Sequence, residues 1–398
     1  MGRRRRQKLR RTPIHKPPAL RLSAFYALYF GILGVLLPYW PLYLESVGFG
    51  PGAIGALMAI LPATKIVSPA FWGWLADRGG LPLRYIRWTS FLSALSMALL
   101  IPHPTNIGWI GSAMVAFGLF WNGPLPLFET VTLAHLKGRG GYGRIRLWGS
   151  MGFILSVAAG GSILGSVLPV AFLPEVMVVL LAAQWIVTLI IPPIRAQREA
   201  LKQPALWLIL KRPGVAGFLV AGLLIQVAHG PYYAFYSVLL SDHGFQDATI
   251  GQLWALGVFA EIVLFVWMDA FERRLGVRTL FLLAIGSGVL RWLMIGWGID
   301  SFPVILLAQM LHAGTFGLMH TASISLVHQH FQGSHHAKGQ AIYSGFCYGL
   351  GGAVGSLYAG YFWQAWHPGW VFTTASMISL LAFVIASRSL SGRRVESV

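Results

Sequence analysis

The sequence predicts an all-α membrane protein of twelve transmembrane helices arranged as two pseudo-symmetric six-helix bundles. Three observations predict it: long apolar segments, basic residues of which all but two (Lys65 and Arg291) fall in alternate gaps between them, and a weak internal repeat that maps one half of the chain onto the other.

Composition sets the class. Hydrophobic residues make up 56% and charged residues 11% of the 398 residues, with a mean hydropathy of +0.65. A soluble domain carries roughly 25% charged residues. Folded in water, this chain would expose far too much apolar surface, so the bilayer is its solvent.

A spanning helix needs about 20 mostly apolar residues. Twelve segments qualify: 21–45, 52–76, 85–102, 105–134, 144–168, 172–192, 214–240, 249–269, 279–298, 302–328, 339–363 and 369–387. Lipid cannot satisfy open backbone groups, and these runs are too long for barrel strands, so the element is helix. The stretch 205–210 is too short to span and is expected to lie on the membrane surface.

The 30 Lys and Arg residues set the orientation. They cluster after the even-numbered segments, at Arg78, Arg84 and Arg87, at Lys137 to Arg146, at Arg195 to Arg212, at Arg273 to Arg278, at Lys338, and at both termini. The odd-numbered loops, 45–52, 102–106, 168–174, 241–248, 298–302 and 364–368, contain none. The positive-inside rule therefore places both termini in the cytoplasm. This bias explains the net charge of +18 without nucleic acid. The run Arg3 to Arg6 with Lys8, Arg10 and Arg11 is expected to lie near anionic headgroups. The basic run is followed by an apolar helix of about 25 residues without a small-residue cleavage site, which argues against a removed signal peptide. The lone Cys347 excludes an internal disulfide.

The expected organisation is a basic cytoplasmic tail (1–20), an N-terminal six-helix bundle (21–192), a cytoplasmic linker (193–213), a C-terminal bundle (214–387) and a short cytoplasmic tail (388–398). At a shift of 196 residues, Ile54-Gly55-x-Leu57-x-Ala59 becomes Ile250-Gly251-x-Leu253-x-Ala255, and Gly143 and Gly149 become Gly339 and Gly345. The same shift carries Lys65 onto Glu261, so opposite charges occupy corresponding mid-membrane sites. Duplicated six-helix halves are the plan of a secondary transporter with its site between them. The spacings Gly161-x-x-x-Gly165, Gly345-x-x-x-Gly349 and Gly351-x-x-x-Gly355 provide faces for close approach, either as static packing or as a sliding gate.

A charge at the bilayer centre costs about 2.5–3.5 kcal/mol on insertion scales, so such residues are paired or face a wet cavity. Lys65, Glu129, Glu261 and Arg291 fall inside the segments, with His229, His312 and His320 as further titratable groups. Glu261 and Arg291 form either a structural ion pair or a proton-coupling pair. His312 and His320, eight residues apart, lie about 80° apart around an α-helix, and His312 matches Arg291 better in depth. Lys65 neutralises Glu129 or Glu261, or binds an anionic substrate. Asn122, Gln226, Tyr232 and Tyr236 are candidate substrate contacts beside His229, Glu129 and Arg146. The chain shows no phosphate-binding loop and no His/Glu zinc spacing, so no catalytic site, metal or cofactor is expected. The histidines 328, 330, 335 and 336 are read as a solvated loop.

The run Gly73-Trp74-Leu75-Ala76-Asp77-Arg78-Gly79-Gly80 resembles the signature loop of the major facilitator superfamily. The resemblance implies that Gly73, Asp77 and Arg78 hold a cytoplasmic gate, with Asp269 as the degenerate second-half counterpart. Arg84 and Arg87 stand in for the motif's basic end. Gly143-Arg144-Ile145-Arg146-Leu147-Trp148-Gly149-Ser150 and Leu311-His312-Ala313-Gly314-Thr315-Phe316-Gly317 resemble the branch that holds phenylpropionate permease, near lactose permease and the nucleoside–proton symporters. The similarity extends from about residue 20 through nearly the whole chain. By the lactose permease pattern, Glu261, Arg291 and His312 match a proton-coupling acid, arginine and histidine, Arg146 matches a sugar-binding arginine, and Glu129 roughly matches an acid of the fourth helix.

Two departures matter. The proton-carrying glutamate one turn after the histidine is missing, with Thr315 following His312 and Ser323 following His320. The sugar-stacking tryptophan is Phe153. With Lys65 added, these argue against a simple disaccharide. The resemblance implies a monomeric permease of the inner or plasma membrane that imports a small organic solute with protons. An aromatic or other small carboxylate is the expected substrate; a sugar, a nucleoside, or drug–proton antiport are the alternatives.

Overall fold

The computed structural model describes residues 18–137, 140–164, 166–194 and 206–390. The expectations for the N-terminal basic run, Arg139, Gly165, most of the linker and residues 391–398 lie outside the described residues. Every regular element is helical: α1 (Ala19–Ser46), α2 (Pro51–Lys65), α3 (Ser68–Gly79), α4 (Pro82–Ala98), α5 (Ile107–Trp121), α6 (Pro124–Leu136), α7 (Tyr142–Ile163), α8 (Leu173–Ile190), α9 (Leu206–Leu210), α10 (Pro213–Ala228), α11 (Gly230–Asp242), α12 (Asp247–Trp297), α13 (Phe302–Met310), α14 (Met319–His330), α15 (His336–Ile342), α16 (Gly352–Ala365) and α17 (Pro368–Ser389). Among the described residues, eight stretches, some of them joining two consecutive helices, are long and apolar enough to cross a membrane.

Several predicted segments are interrupted, and sequence explains where. The stretch Pro51–Gly79 bends between α2 and α3, where Pro69 starts a new first turn. The bends after Trp121 and at His229 are likewise followed by proline in the first turn of α6 and α11. Proline suits that position, because its missing N–H has no helical partner there. Two π-helical turns, Ala313–Leu318 and Tyr343–Gly351, interrupt the stretches predicted at 302–328 and 339–363. The loop expected between 269 and 279 is instead helix. α12 runs for 51 residues and is broken only at Gly276, whose φ of 75° and ψ of 155° are not helical. A 51-residue rod would be about 75 Å long, far more than the roughly 30 Å hydrocarbon core; Gly276 permits the turn between two spans. The short α9 leaves Trp207 and Leu208 exposed, as expected of a surface helix.

The two halves pack differently at their two ends. At the ends joined by odd-numbered loops they share one core, which includes Tyr39, Tyr43, Tyr232, Leu253 and Trp363. Glycines permit this approach. A Cβ on Gly55 of α2 would lie 2.5 Å from the Gly360 Cα of α16, and the Tyr39 hydroxyl donates to the Val157 carbonyl beside Gly251 (2.8 Å). At the opposite end the second half keeps a separate core around Phe218, Phe281, Leu326 and Tyr343. There α3 packs on α4, α5 and α6, all from its own half. Among the described residues, the molecule is therefore closed at the odd-loop end and keeps separate cores at the even-loop end.

Candidate functional site

Glu261 and Arg291, both on α12, are 6% and 0% exposed. They face the same interior because Gly276 turns the chain between them. Small residues make room for the first contact: Gly257, one turn before Glu261, has the His312 ring against its Cα, and Gly317 faces the Glu261 stem. His312 Nε2 lies 2.8 Å from Glu261 Oε1. This corrects the expected pairing, since no ion pair joins Glu261 to Arg291 among the described residues. The guanidinium is engaged elsewhere. Its Nε donates to the Ala308 carbonyl (3.0 Å) and Nη1 to Thr315 Oγ1 (2.9 Å). It also stacks 4.1 Å from the Tyr232 ring centroid. Thr315, where the lactose permease pattern has its glutamate, thus completes the arginine's shell. Arg291 remains within electrostatic reach of Glu261.

Around this pair lies a polar and aromatic wall. Tyr232 donates to Gln309 Oε1 (3.1 Å), Trp254 donates to Ser237 (3.0 Å), and His229 Nδ1 meets the Ile225 carbonyl (2.7 Å). Several buried polar atoms have no protein partner: Arg291 Nη2, Gln309 Nε2, His229 Nε2, His312 Nδ1 and the Tyr236 hydroxyl. Buried groups of this kind are costly unless bonded. Gln226 is buried, with its Cβ packed against Gly351.

His320 does not join the Glu261 cluster. The π-helical turn winds more residues per turn, so the expected 80° offset shrinks, and His312, Phe316 and His320 stack in one line at 5.5 and 6.2 Å. His320 is exposed and lies within electrostatic reach of Lys65 and Arg146. Lys65, the last residue of α2, is half-buried, sits 5.4 Å from the Tyr348 ring, and has no acid within ion-pair distance among the described residues. The expected neutralisation by Glu129 or Glu261 is therefore not seen. Arg146 rests on Phe30 (3.9 Å), while Glu129 accepts from the Tyr142 hydroxyl (3.4 Å). Asn122 spends its amide donor on scaffold, bonding the Leu61 carbonyl (3.0 Å) and Thr64 Oγ1 (3.1 Å).

The gate residues lie at the even-loop end. Asp77 is exposed and makes no ion pair among the described residues, Arg78 stacks on Trp74 (4.0 Å), and a Cβ on Gly73 would meet nothing within 4 Å. Asp269 is also exposed, on α12 near Gly276.

A helical protein with membrane-length apolar stretches, closed at one end and with ionisable groups buried in its interior, has the plan of a membrane transporter. The chain belongs to the MFS_1 like family of the major facilitator superfamily, whose family model matches residues 19–374. It is 29% identical over 375 residues to the probable 3-phenylpropionic acid transporter of Escherichia coli (strain K12), covering 92% of this chain and 96% of that one. It is 26% identical over 379 residues to the maltose permease of Geobacillus stearothermophilus, covering 91% and 92%. The fold matches the nucleoside transporter NupG with a TM-score of 0.81 at 17% identity, covering 94% of this chain and 99% of that one. It also matches a bacterial homologue of Spinster in an inward-facing, unoccupied conformation, with a TM-score of 0.74 at 14% identity, over 97% and 100% of the two chains.

Proposed function

We propose that this protein is a proton-coupled symporter that imports a small carboxylate, with an aromatic acid as the best-fitting substrate. In this reading twelve spans form two pseudo-symmetric bundles, residues 21–192 and 214–387, joined by a linker at 193–213. Both termini face the cytoplasm of a cell's inner or plasma membrane, and the monomer is the working unit. The bundles rock about the central site, so the state closed at the odd-loop end is the inward-facing one.

The observation that carries the reading is a cation without an acid partner, Lys65. Lys65 and Arg146, with His320 beside them, border the interval between the halves, and Lys65 has no acid partner among the described residues. A cation held at mid-membrane without a counterion is costly, and a carboxylate substrate supplies the missing charge. Glu261 and His312 hold a transferable proton beside it, and Arg291 compensates the carboxylate when that proton leaves. Aromatic faces at Phe30, Phe316 and Tyr348 offer the substrate a stacking surface. The similarity to a probable 3-phenylpropionic acid transporter supports this class.

Proteoliposome uptake tests it, with 3-phenylpropionate, maltose and uridine as probes. The acid is expected to be taken up saturably. Lys65→Ala is expected to raise its KM roughly tenfold, the scale of one charge-assisted contact, and Lys65→Arg to retain most affinity. Uptake of maltose or uridine in place of the acid, or an unchanged KM in Lys65→Ala, overturns the assignment.

A further inference from the structure

A groove of about 730 Å³ opens on the outside of the N-terminal half, between α4 and α8 and away from the central site. Arg84 and Arg87 supply its charge; the other lining residues, among them Trp88, Phe91, Trp185 and Leu189, are apolar. Arg87 forms the back wall, donating to the carbonyls of Thr188 (3.1 Å), Leu189 (3.2 Å) and Ile191 (3.1 Å), which end α8. That engagement fixes its positive charge at the groove without neutralising it. Arg84, one turn earlier on the same helix, is exposed and makes no ion pair among the described residues. Trp88 is 55% exposed, and Phe91 packs against Trp185 at 5.1 Å.

Both arginines sit at the basic-loop end of their helix, where headgroups lie, and the aromatic residues extend toward the hydrocarbon. Tryptophan favours that interface. A site with two cations at headgroup level and an apolar trough beneath them is complementary in charge and polarity to one kind of molecule. We propose that this groove binds an anionic glycerophospholipid of the leaflet facing the basic loops. The phosphate would lie at Arg84 and the unbonded part of the Arg87 guanidinium, and an acyl chain along Trp88 and Trp185. Because α4 directly follows the signature loop at residues 73–80, an occupied groove would brace the first half of the chain against its own gate segment.

Native mass spectrometry of the delipidated, full-length protein in detergent tests the proposal, titrated separately with phosphatidylglycerol and phosphatidylcholine. The protein is expected to retain one phosphatidylglycerol more tightly than any phosphatidylcholine. Arg84→Gln, which removes an exposed cation that makes no ion pair among the described residues, is expected to weaken that first site about fivefold, the worth of one basic residue near an anionic surface. Arg144→Gln, on an exposed basic residue remote from the groove, is expected to leave it unchanged. Equal retention of both lipids, an unaltered first site in Arg84→Gln, or full displacement by inorganic phosphate alone would each overturn it.

Discussion

The His312 imidazole meets the Glu261 carboxylate at 2.8 Å inside a shell that leaves both side chains nearly inaccessible. The arginine that sequence suggested as the partner, Arg291, is held one layer away by Ala308 and Thr315. The site is thus a three-part device. Its parts are the Glu261–His312 pair, the arginine within electrostatic reach of it, and Thr315, bonded to both Arg291 and the His312 carbonyl. In the proposed symport the pair would carry the proton, while Arg291, whose own proton does not leave, would stay charged.

Arg291→Ala is expected to lose both hydrogen bonds and the stacking on Tyr232, leaving Glu261 without its neighbouring cation. Breaking a buried charge arrangement in this way costs about 3–5 kcal/mol. Thermal unfolding in detergent should show a large fall in Tm. Arg291→Lys keeps the charge but loses the planar fork, so its Tm should lie between the two. Equal Tm values for all three proteins would mean that the arginine carries no structural weight.

Gly55→Leu is expected to pry the closed end apart. A side chain there collides with Gly360 and the Ser356 carbonyl, both backbone, so neither can swing away. Because the native Cys347 is buried, a cysteine introduced at Ser356 can be labelled against a low background. Labelling of Ser356→Cys by a hydrophilic maleimide should be slow alone and faster in combination with Gly55→Leu. Gly73→Ala, placed where a Cβ meets open space, should leave that labelling slow.

Asn122→Ala is expected to destabilise without changing substrate recognition. Its amide ties the bend after α5 to the end of α2, immediately before Lys65. Losing two such bonds costs about 1–3 kcal/mol, read as a lower Tm, while KM should stay within about twofold. A large KM change with unaltered Tm would return Asn122 to the substrate site.

His336 stacks on His328 at 3.7 Å in the even-loop region. Burial, and secondarily the neighbouring imidazole, hold its pKa below the usual histidine value. The unfolded chain therefore takes up the proton first as pH falls below about 6.5, so this region loses stability on acidification and regains it near neutrality. His328→Gln should raise the His336 pKa, measured by histidine NMR in micelles. An unchanged titration would show that the stacked ring exerts no charge on it.

Much of this was legible in the sequence, for identifiable reasons. Arg78 and Arg84 fall where a loop was expected, at the end of α3 and the start of α4, whereas Arg273 lies inside α12, which runs on to the break at Gly276. The pairing of Gly55 with the second half was foreshadowed by the repeat that aligns it with Gly251, since both occupy the closed end. Sequence could not foresee that Glu261 would choose His312. That choice depends on Gly257 and Gly317 opening a space between two helices, and on the π-helical turn that re-aims residues 312 to 320. Periodicity arguments assume 3.6 residues per turn, so they misplace side chains beyond such a turn. Thr315 was noticed only as a missing acid, although a hydroxyl there is what Arg291 requires. Asn122 was read as a ligand contact because a polar residue in an apolar run draws attention; the bend it ties together is invisible until the chain is folded.

Simultaneous recording of substrate and proton entry tests the central claim most directly. Proteoliposomes loaded with a fluorescent pH indicator would receive 3-phenylpropionate under an inward proton gradient. The account predicts that the wild-type lumen acidifies in step with uptake of the acid. In Glu261→Gln both acidification and gradient-driven accumulation should vanish, while exchange of labelled for unlabelled substrate persists. Uptake by the wild type without proton entry, or undiminished acidification in Glu261→Gln, would contradict it.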